Sequence, residues 1–280
     1  MAQQELNDKL FEAVKNDDLD QVNELVGQGA DVNAKDKFFG DTPLHKAIQL
    51  RNFEMVKLLI ENGADVNAIN GQDDTPLILS VAQSDLEFVK LLLENGAKVN
   101  AHGSDGNTAL HVSLFLKTCS VPCASLKDIE LEIIKLLVNH GADVDAKNFY
   151  EEIPLDWAHT KEQFMILIEH GATFTKNHIN KIVQYGYTDV LEKLISLGAN
   201  IKQPNAILET PLHIAAKYGQ LETVKLLIKH GANPNQKTRL FGTTPLDLAQ
   251  EKLKDKDLSN EKKQKIQSVI DYLKSLGTIE

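Results

Sequence analysis

Nine histidines and two cysteines are the side chains of this 280-residue sequence best suited to serve as bases, nucleophiles or metal ligands. Cys119 and Cys123, in TCSVPCAS, stand at Cys-x3-Cys spacing. A metal site there would need two further ligands, and His111 is the only other His or Cys nearby. Two thiols cannot staple a chain of this size, so they read as reduced thiols in a loop. His45, His111 and His213 each close a TPLH-like tetrapeptide, where the ring can bond a helix-capping Thr and a neighbouring loop backbone. His140, His170 and His230 each precede a Gly, where a basic residue meets the negative end of a helix. Asp156 and Asp247 replace the marker histidine and fill the same scaffold slot, not an acid–base pair. No Gly-rich phosphate loop, His-Glu-x-x-His or Gly-x-Ser-x-Gly occurs. The residues therefore assign no catalytic group, cofactor or metal. An enzyme would have to use the 116–130 stretch with Cys119 or Cys123 as nucleophile, and neither a base nor an oxyanion hole can be named for it.

Composition narrows the function class. The formal charge of −10 argues against a nucleic-acid partner, because phosphate neutralisation needs clustered Lys and Arg. No run of 18 apolar residues predicts membrane insertion, and MAQQELNDKLFEAVK lacks the charged-then-apolar order of a signal peptide. A cytoplasmic protein is expected; delivery into a host cell would proceed without a classical signal. Arg51 and Arg239 stand against 28 lysines, a skew that marks an AT-rich genome.

The elements that must position these residues repeat. Gly-Ala recurs at Gly29, Gly63, Gly96, Gly141, Gly171, Gly198 and Gly231, with Gly277-Thr278 as a worn eighth copy. A second marker runs in phase with it: DTPLHKA (41–47), DTPLILS (74–80), NTALHVS (107–113), EIPLDWA (152–158), ETPLHIA (209–215) and TTPLDLA (243–249). Thr caps a first helix, and Pro supplies its fixed φ where no helical N–H bond is lost. Leu44 and Ala47 give that helix a narrow apolar face. Val56, Leu59 and Ile60 give the second helix its stripe, and Gly63 ends it. A polar stretch then returns to the next Thr.

TPLH, the x-G-A-D-V-N ending and the 33-residue period resemble the ankyrin repeat over roughly residues 5–277. The resemblance implies an all-α repeat solenoid in which each unit is a helix–turn–helix followed by a short β-hairpin finger. Fingers and first helices would line a concave face that binds proteins. It also resembles the ankyrin proteins of intracellular bacteria, some of which act as effectors on host proteins. One solenoid over 1–280 is expected, with residues 5–36 as the N-terminal cap unit and 37–170 as units two to five. Units six and seven would occupy 171–238, and 239–280 the C-terminal capping unit. The insertion 116–130 reads as a loop. Between Gly171 and Asn177 six residues replace a finger, and NHIN (177–180) replaces TPLH, so 171–177 is the expected seam.

Two phenylalanines in KFFGDTPLH stand where a solvated turn is expected. The positions four and three before each marker are Phe38-Phe39, Gly71-Gln72, Ser104-Asp105, Phe149-Tyr150, Ala206-Ile207 and Leu240-Phe241. Leu208 adds another apolar side chain. Phe115, Leu116, Tyr185 and Tyr218 fall near the ends of first helices. Exposed aromatics gathered on one surface form a protein-binding patch. The expected function is thus non-catalytic recognition of a protein partner by a monomer. Adjacent tips packing on each other, and a self-associating scaffold, remain the alternatives. Trp157, among apolar neighbours, is expected in the core.

Overall fold

The computed structural model describes residues 3–115, 124–239 and 241–277. These residues form sixteen α-helices in eight pairs. The pairs are α1 (Gln3–Lys15) with α2 (Leu19–Gly27), α3 (Pro43–Gln49) with α4 (Phe53–Glu61), α5 (Pro76–Ala82) with α6 (Leu86–Glu94), and α7 (Ala109–Leu114) with α8 (Ala124–Asn139). They continue as α9 (Pro154–Trp157) with α10 (Lys161–Glu169), α11 (Lys176–Tyr185) with α12 (Thr188–Ser196), α13 (Pro211–Lys217) with α14 (Leu221–Lys229), and α15 (Pro245–Leu253) with α16 (Asn260–Ser275). No helix among the described residues is long and apolar enough to cross a membrane.

The chain divides into two compact bodies, Met1–Gly171 and Ala172–Glu280. Within the first, α1, α3, α5, α7 and α9 pack side by side, and each leans on its own second helix. Leu44 and Ile48 of α3 and Met55, Val56 and Leu59 of α4 are fully buried where the two helices pack, as are Leu77 with Phe88 and Leu92, and Leu110 with Ile133. In the second body α11, α13 and α15 form the corresponding row, and α16 closes it with Ile266, Val269, Ile270 and Leu273 buried. Each pair has too little apolar area to hold its own shape, so neighbouring pairs supply the other half of every core layer.

Short side chains join these layers. The Nδ1 atoms of His45, His111 and His213 lie 2.8, 3.0 and 2.8 Å from the Oγ1 atoms of Thr42, Thr108 and Thr210. The same Nδ1 atoms accept the backbone N–H of those threonines. Nδ1 therefore carries no proton, and Nε2–H donates to the carbonyls of Asp74, Glu152 and Thr243 on the next finger, at 3.1, 3.1 and 3.2 Å. Burial holds all three imidazoles below the usual histidine range. Asp156 and Asp247 take only the inward half of this role, accepting from the N–H of Ile153 and Thr244. A carboxylate has no proton to give a following finger. A second ladder runs through the turns after the second helices. The Asn33 amide donates to Gly63 O and accepts from Asp65 N, and Asn67 and Asn100 repeat this with Gly96 and Lys98, and with Gly141 and Asp143. Asp145, Thr175 and Lys202 hold the next three places of the series.

Three expectations need correction. The fingers are not β-hairpins with ladders: each is a tight turn closed by one or two backbone bonds, such as Asn70 N–H to Asp74 O at 3.1 Å and Asp73 N–H to Asn70 O at 3.2 Å. The sole strand-type pairing among the described residues is an isolated bridge, His102 with Thr108. Five- or six-residue fingers are too short to extend it. The insertion read as a loop is helical from 124 to 130, because α8 starts at Ala124; residues 116–123 with both cysteines lie outside the described residues. The marker of the sixth unit is not NHIN at 177–180 but Thr175 with His178, whose Nδ1 accepts the Thr175 N–H at 3.1 Å. Only three residues separate Gly171 from this cap, and they form no turn.

Leu212 is 1% exposed in α13, so Leu212→Ala is expected to cost roughly 2–5 kcal/mol. Because repeats couple only to neighbours, the loss should fall on 172–280 while the N-terminal body keeps its transition. One cooperative melt of the whole chain would refute that independence. The buried histidines set a pH window. Their folded pKa values lie below the unfolded value near 6.5, so the unfolded chain takes up protons first as pH falls. Stability should be insensitive to these groups above about pH 7.5, decline as pH drops below about 6.5, and level off beneath the folded values. Urea midpoints at pH 7.5 and 5.5 test this, and His213→Gln should show a smaller difference than wild type.

Candidate recognition surface

Six fingers carry the candidate residues. In the N-terminal body they span 36–41, 70–74, 102–107 and 148–152; in the C-terminal body they span 205–209 and 238–243. Each begins with a side chain that serves the turn. Asp36 Oδ1 accepts the N–H groups of Phe38 and Phe39 at 3.0 and 2.7 Å. Asn148 does the same for Tyr150 and Glu152, and Asn205 for Ile207 and Glu209. The turn's backbone is thus satisfied before any tip side chain acts, an Asx-type arrangement.

The four N-terminal fingers also bind one another edge to edge. Gly71 N–H donates to Phe39 O at 2.7 Å, Ser104 Oγ donates to Gln72 O at 2.7 Å, and Phe149 N–H donates to Asp105 O at 2.9 Å. The first contact requires bare backbone. A Cβ on Gly71 would sit 2.7 Å from that same oxygen, and one on Gly40 2.8 Å from Gly71 N. The tips therefore form one ordered row.

Phe38 is 89% exposed and Phe149 77%, and Phe39, Tyr150, Phe115, Ile207 and Phe241 are also exposed. The Phe149 ring lies over Gly106 of the preceding finger, yet most of its surface faces solvent. Leu208 is half-buried with φ +66°, the left-handed position filled by Gly40, Asp73, Glu151 and Gly242 elsewhere. Leu116 and Leu240 lie outside the described residues. The aromatics are not contiguous. Phe38-Phe39 and Phe149-Tyr150 hold the two ends of the row, with the polar tips Gly71-Gln72 and Ser104-Asp105 between them.

The helix-end residues divide into two hollows. Phe115 meets Trp157 at 5.9 Å between ring centroids, beside a cavity of about 340 Å³. In the C-terminal body Tyr185 and Tyr218 line a cavity of about 370 Å³ with Lys217, Lys252, Lys262 and Lys265. Three of those lysines already face carboxylates: Glu209 at 3.4 Å, Asp255 at 2.8 Å and Glu261 at 2.6 Å. Trp157 corrects an expectation. It is half-buried, not core, donating Nε1–H to Glu152 at 2.9 Å and standing edge-on to His111. The signal that could have found it is Thr160 with Gln163, a capping box that begins the next helix only three residues after Trp157. Charge is unequal as well: residues 1–171 hold 29 Asp and Glu against 14 Lys and Arg, whereas 172–280 hold 11 against 16. Among the described residues no cluster of three His, Cys, Asp or Glu could hold a metal ion.

A family model for ankyrin repeats matches the chain in three copies, over residues 10–103, 74–148 and 179–258. The human 2-5A-dependent ribonuclease is 44% identical over 59 residues, covering 21% of this chain and 8% of that protein. The mouse ankyrin repeat and SOCS box protein 6 is 32% identical over 110 residues, 35% of this chain and 26% of that protein. An ankyrin repeat protein of Rickettsia bellii is 36% identical over 83 residues, 30% of this chain and 33% of that protein. The chain thus spans a third or less of the length of these relatives.

Leu208 offers a test of the finger geometry. A side chain in the left-handed region costs about 1–2 kcal/mol, and Gly gives back roughly 0.5–1 kcal/mol through its looser unfolded state. Leu208→Gly should therefore raise the stability of the C-terminal body by about 0.5 kcal/mol. A loss above about 1 kcal/mol in chemical denaturation would show that the leucine's contacts outweigh its backbone strain.

Proposed function

This chain belongs to the ankyrin-repeat family, and we propose that it recognises a protein partner, without catalysis, through its finger tips and first-helix ends. One observation carries the reading: Phe38, Phe39, Phe149 and Tyr150 are held out in solvent by turns whose own polar groups are satisfied. Phe149 packs on its neighbour, over Gly106, and it too keeps most of its ring in solvent. Burying such rings against a partner releases about 25 cal/mol per Å² of apolar surface, and aromatic anchors dominate interface energetics. Phe115, Tyr185, Ile207, Leu208, Tyr218 and Phe241 extend the surface, with Leu116 and Leu240 assigned to it by their place in the repeat. The family resemblance supports the concave face as the side that binds.

The lysine excess and the Rickettsia relative favour a second, narrower reading, a bacterial protein whose partner belongs to a host cell. Affinity capture from animal-cell cytosol, compared with bacterial lysate, tests it: a partner present only in the bacterial lysate would dismiss the host.

Phe38→Ser and Tyr150→Ser should each change stability by no more than about 0.5 kcal/mol, as exposed sites do. Phe149→Ser should cost somewhat more, because its ring covers Gly106. Each should weaken capture of the partner by about 1–2 kcal/mol or more. Melts that drop by several degrees for Phe38→Ser, or binding equal to wild type in all three variants, would assign the tips to structure.

A further inference from the structure

The hollow of about 340 Å³ in the N-terminal body lies beside the ends of two short first helices. Helix α5 runs to Ala82, but α7 stops at Leu114 and α9 stops at Trp157 after a single turn. Beside their last turns a space opens over Val112 and Ile133, walled by Phe115 and Trp157. The ring centroids are 5.9 Å apart and inclined at 57°. Trp157 cannot swing away easily, since Glu152 holds its Nε1–H and the His111 ring packs T-shaped against the indole at 5.7 Å between centroids. The charged side chains that line the hollow are Asp105 and Glu130; no Lys or Arg lines it among the described residues. The surrounding body carries 29 acidic against 14 basic residues.

An apolar floor, two aromatic walls and two carboxylates suit a group with an aliphatic stem and a cationic head. We infer that this hollow receives an arginine or lysine side chain of the partner protein. A cation at its mouth can lie within about 6 Å of both ring centroids, where the ring quadrupoles attract it. Its stem covers Val112 and Ile133, and Asp105 and Glu130 supply the counter-charge. The volume sits at the small end of ligand pockets, the size for one side chain and not for a folded element. The N-terminal body's negative charge would also steer a basic partner segment towards it. Naming a partner protein as the source rests on the recognition reading above, whereas the pocket's preference for cations does not.

Trp157 is the only tryptophan of the chain, so its fluorescence reports on this site alone. The full chain is titrated with N-acetyl-arginine amide and N-acetyl-lysine amide at constant ionic strength, and with N-acetyl-citrulline amide as the uncharged isostere. A saturable change is expected for both cations, with citrulline at least threefold weaker. Asp105→Asn, Glu130→Gln and Phe115→Leu should each weaken the cation by about threefold. Asn tolerates the left-handed backbone of Asp105, and circular dichroism confirms that each variant is folded. Equal binding of citrulline and arginine amides, variants that bind like wild type, or no saturable change up to about 50 mM would each overturn the inference. Loss of partner capture in the Phe38 variant with cation binding intact would separate the two readings.

Discussion

A neutral imidazole, accepting from the threonine that caps its own helix and donating to a carbonyl of the next finger, is the joint on which the repeats depend. It converts a local event, helix capping, into a contact some thirty residues away. The geometry admits only one tautomer, because Thr N–H occupies Nδ1 and the next carbonyl occupies Nε2. The joint stands at His45, His111 and His213, whereas Ile78 leaves the same slot apolar although the finger 102–107 follows, and Asp156 and Asp247 fill it elsewhere. Asp156 precedes the stretch 172–175, which makes no turn, and Asp247 lies in the last unit. The asparagine ladder keeps the same rhythm: Asn33, Asn67 and Asn100 bridge successive turns, and Asp145, which lacks an N–H to donate, takes the next place.

With the repeats joined from behind, the finger tips are released from structural duty. Asp36, Asn148 and Asn205 satisfy the turn amides, and glycine backbones carry the first finger-to-finger contact. Side chains at the tips can then be polar, as at Gln72 and Ser104, or aromatic, as at Phe38 and Phe149, without changing what holds the array together. Folding is thus carried by the turn atoms, and the tip side chains are left free to vary. The short helices α7 and α9 extend this separation. The space beside their last turns is walled by Phe115 and Trp157.

Much of this architecture was legible along the chain. The Thr-Pro start and the Gly end of each pair depend on capping and on backbone conformation within four residues, so they can be read without tertiary contacts. The same locality made the scaffold role of His45, His111 and His213 visible. Locality also explains the errors. NHIN resembled a marker in letters, but the cap is Thr175 with His178, and only the helix start decides between two nearby registers. The stretch 124–130 looked loop-like because Pro122 precedes it, yet it joins a helix whose apolar face is supplied with partners by α6 and α10.

Residue types and spacing determined the number of units, the helix pairs and the absence of a recognisable catalytic motif, because those follow from periodicity and capping. Tertiary structure decided the rest. Whether a finger becomes a strand depends on a partner backbone, and these fingers meet theirs through at most one backbone-to-backbone bond each. Whether an aromatic is core or wall depends on what stands opposite. Trp157 and Phe164 are both apolar letters in one unit, but Phe164 is sealed between neighbours while Trp157 faces the hollow beside the ends of two short first helices. Burial is a property of the neighbours' positions, and no pattern of letters within one repeat contains it.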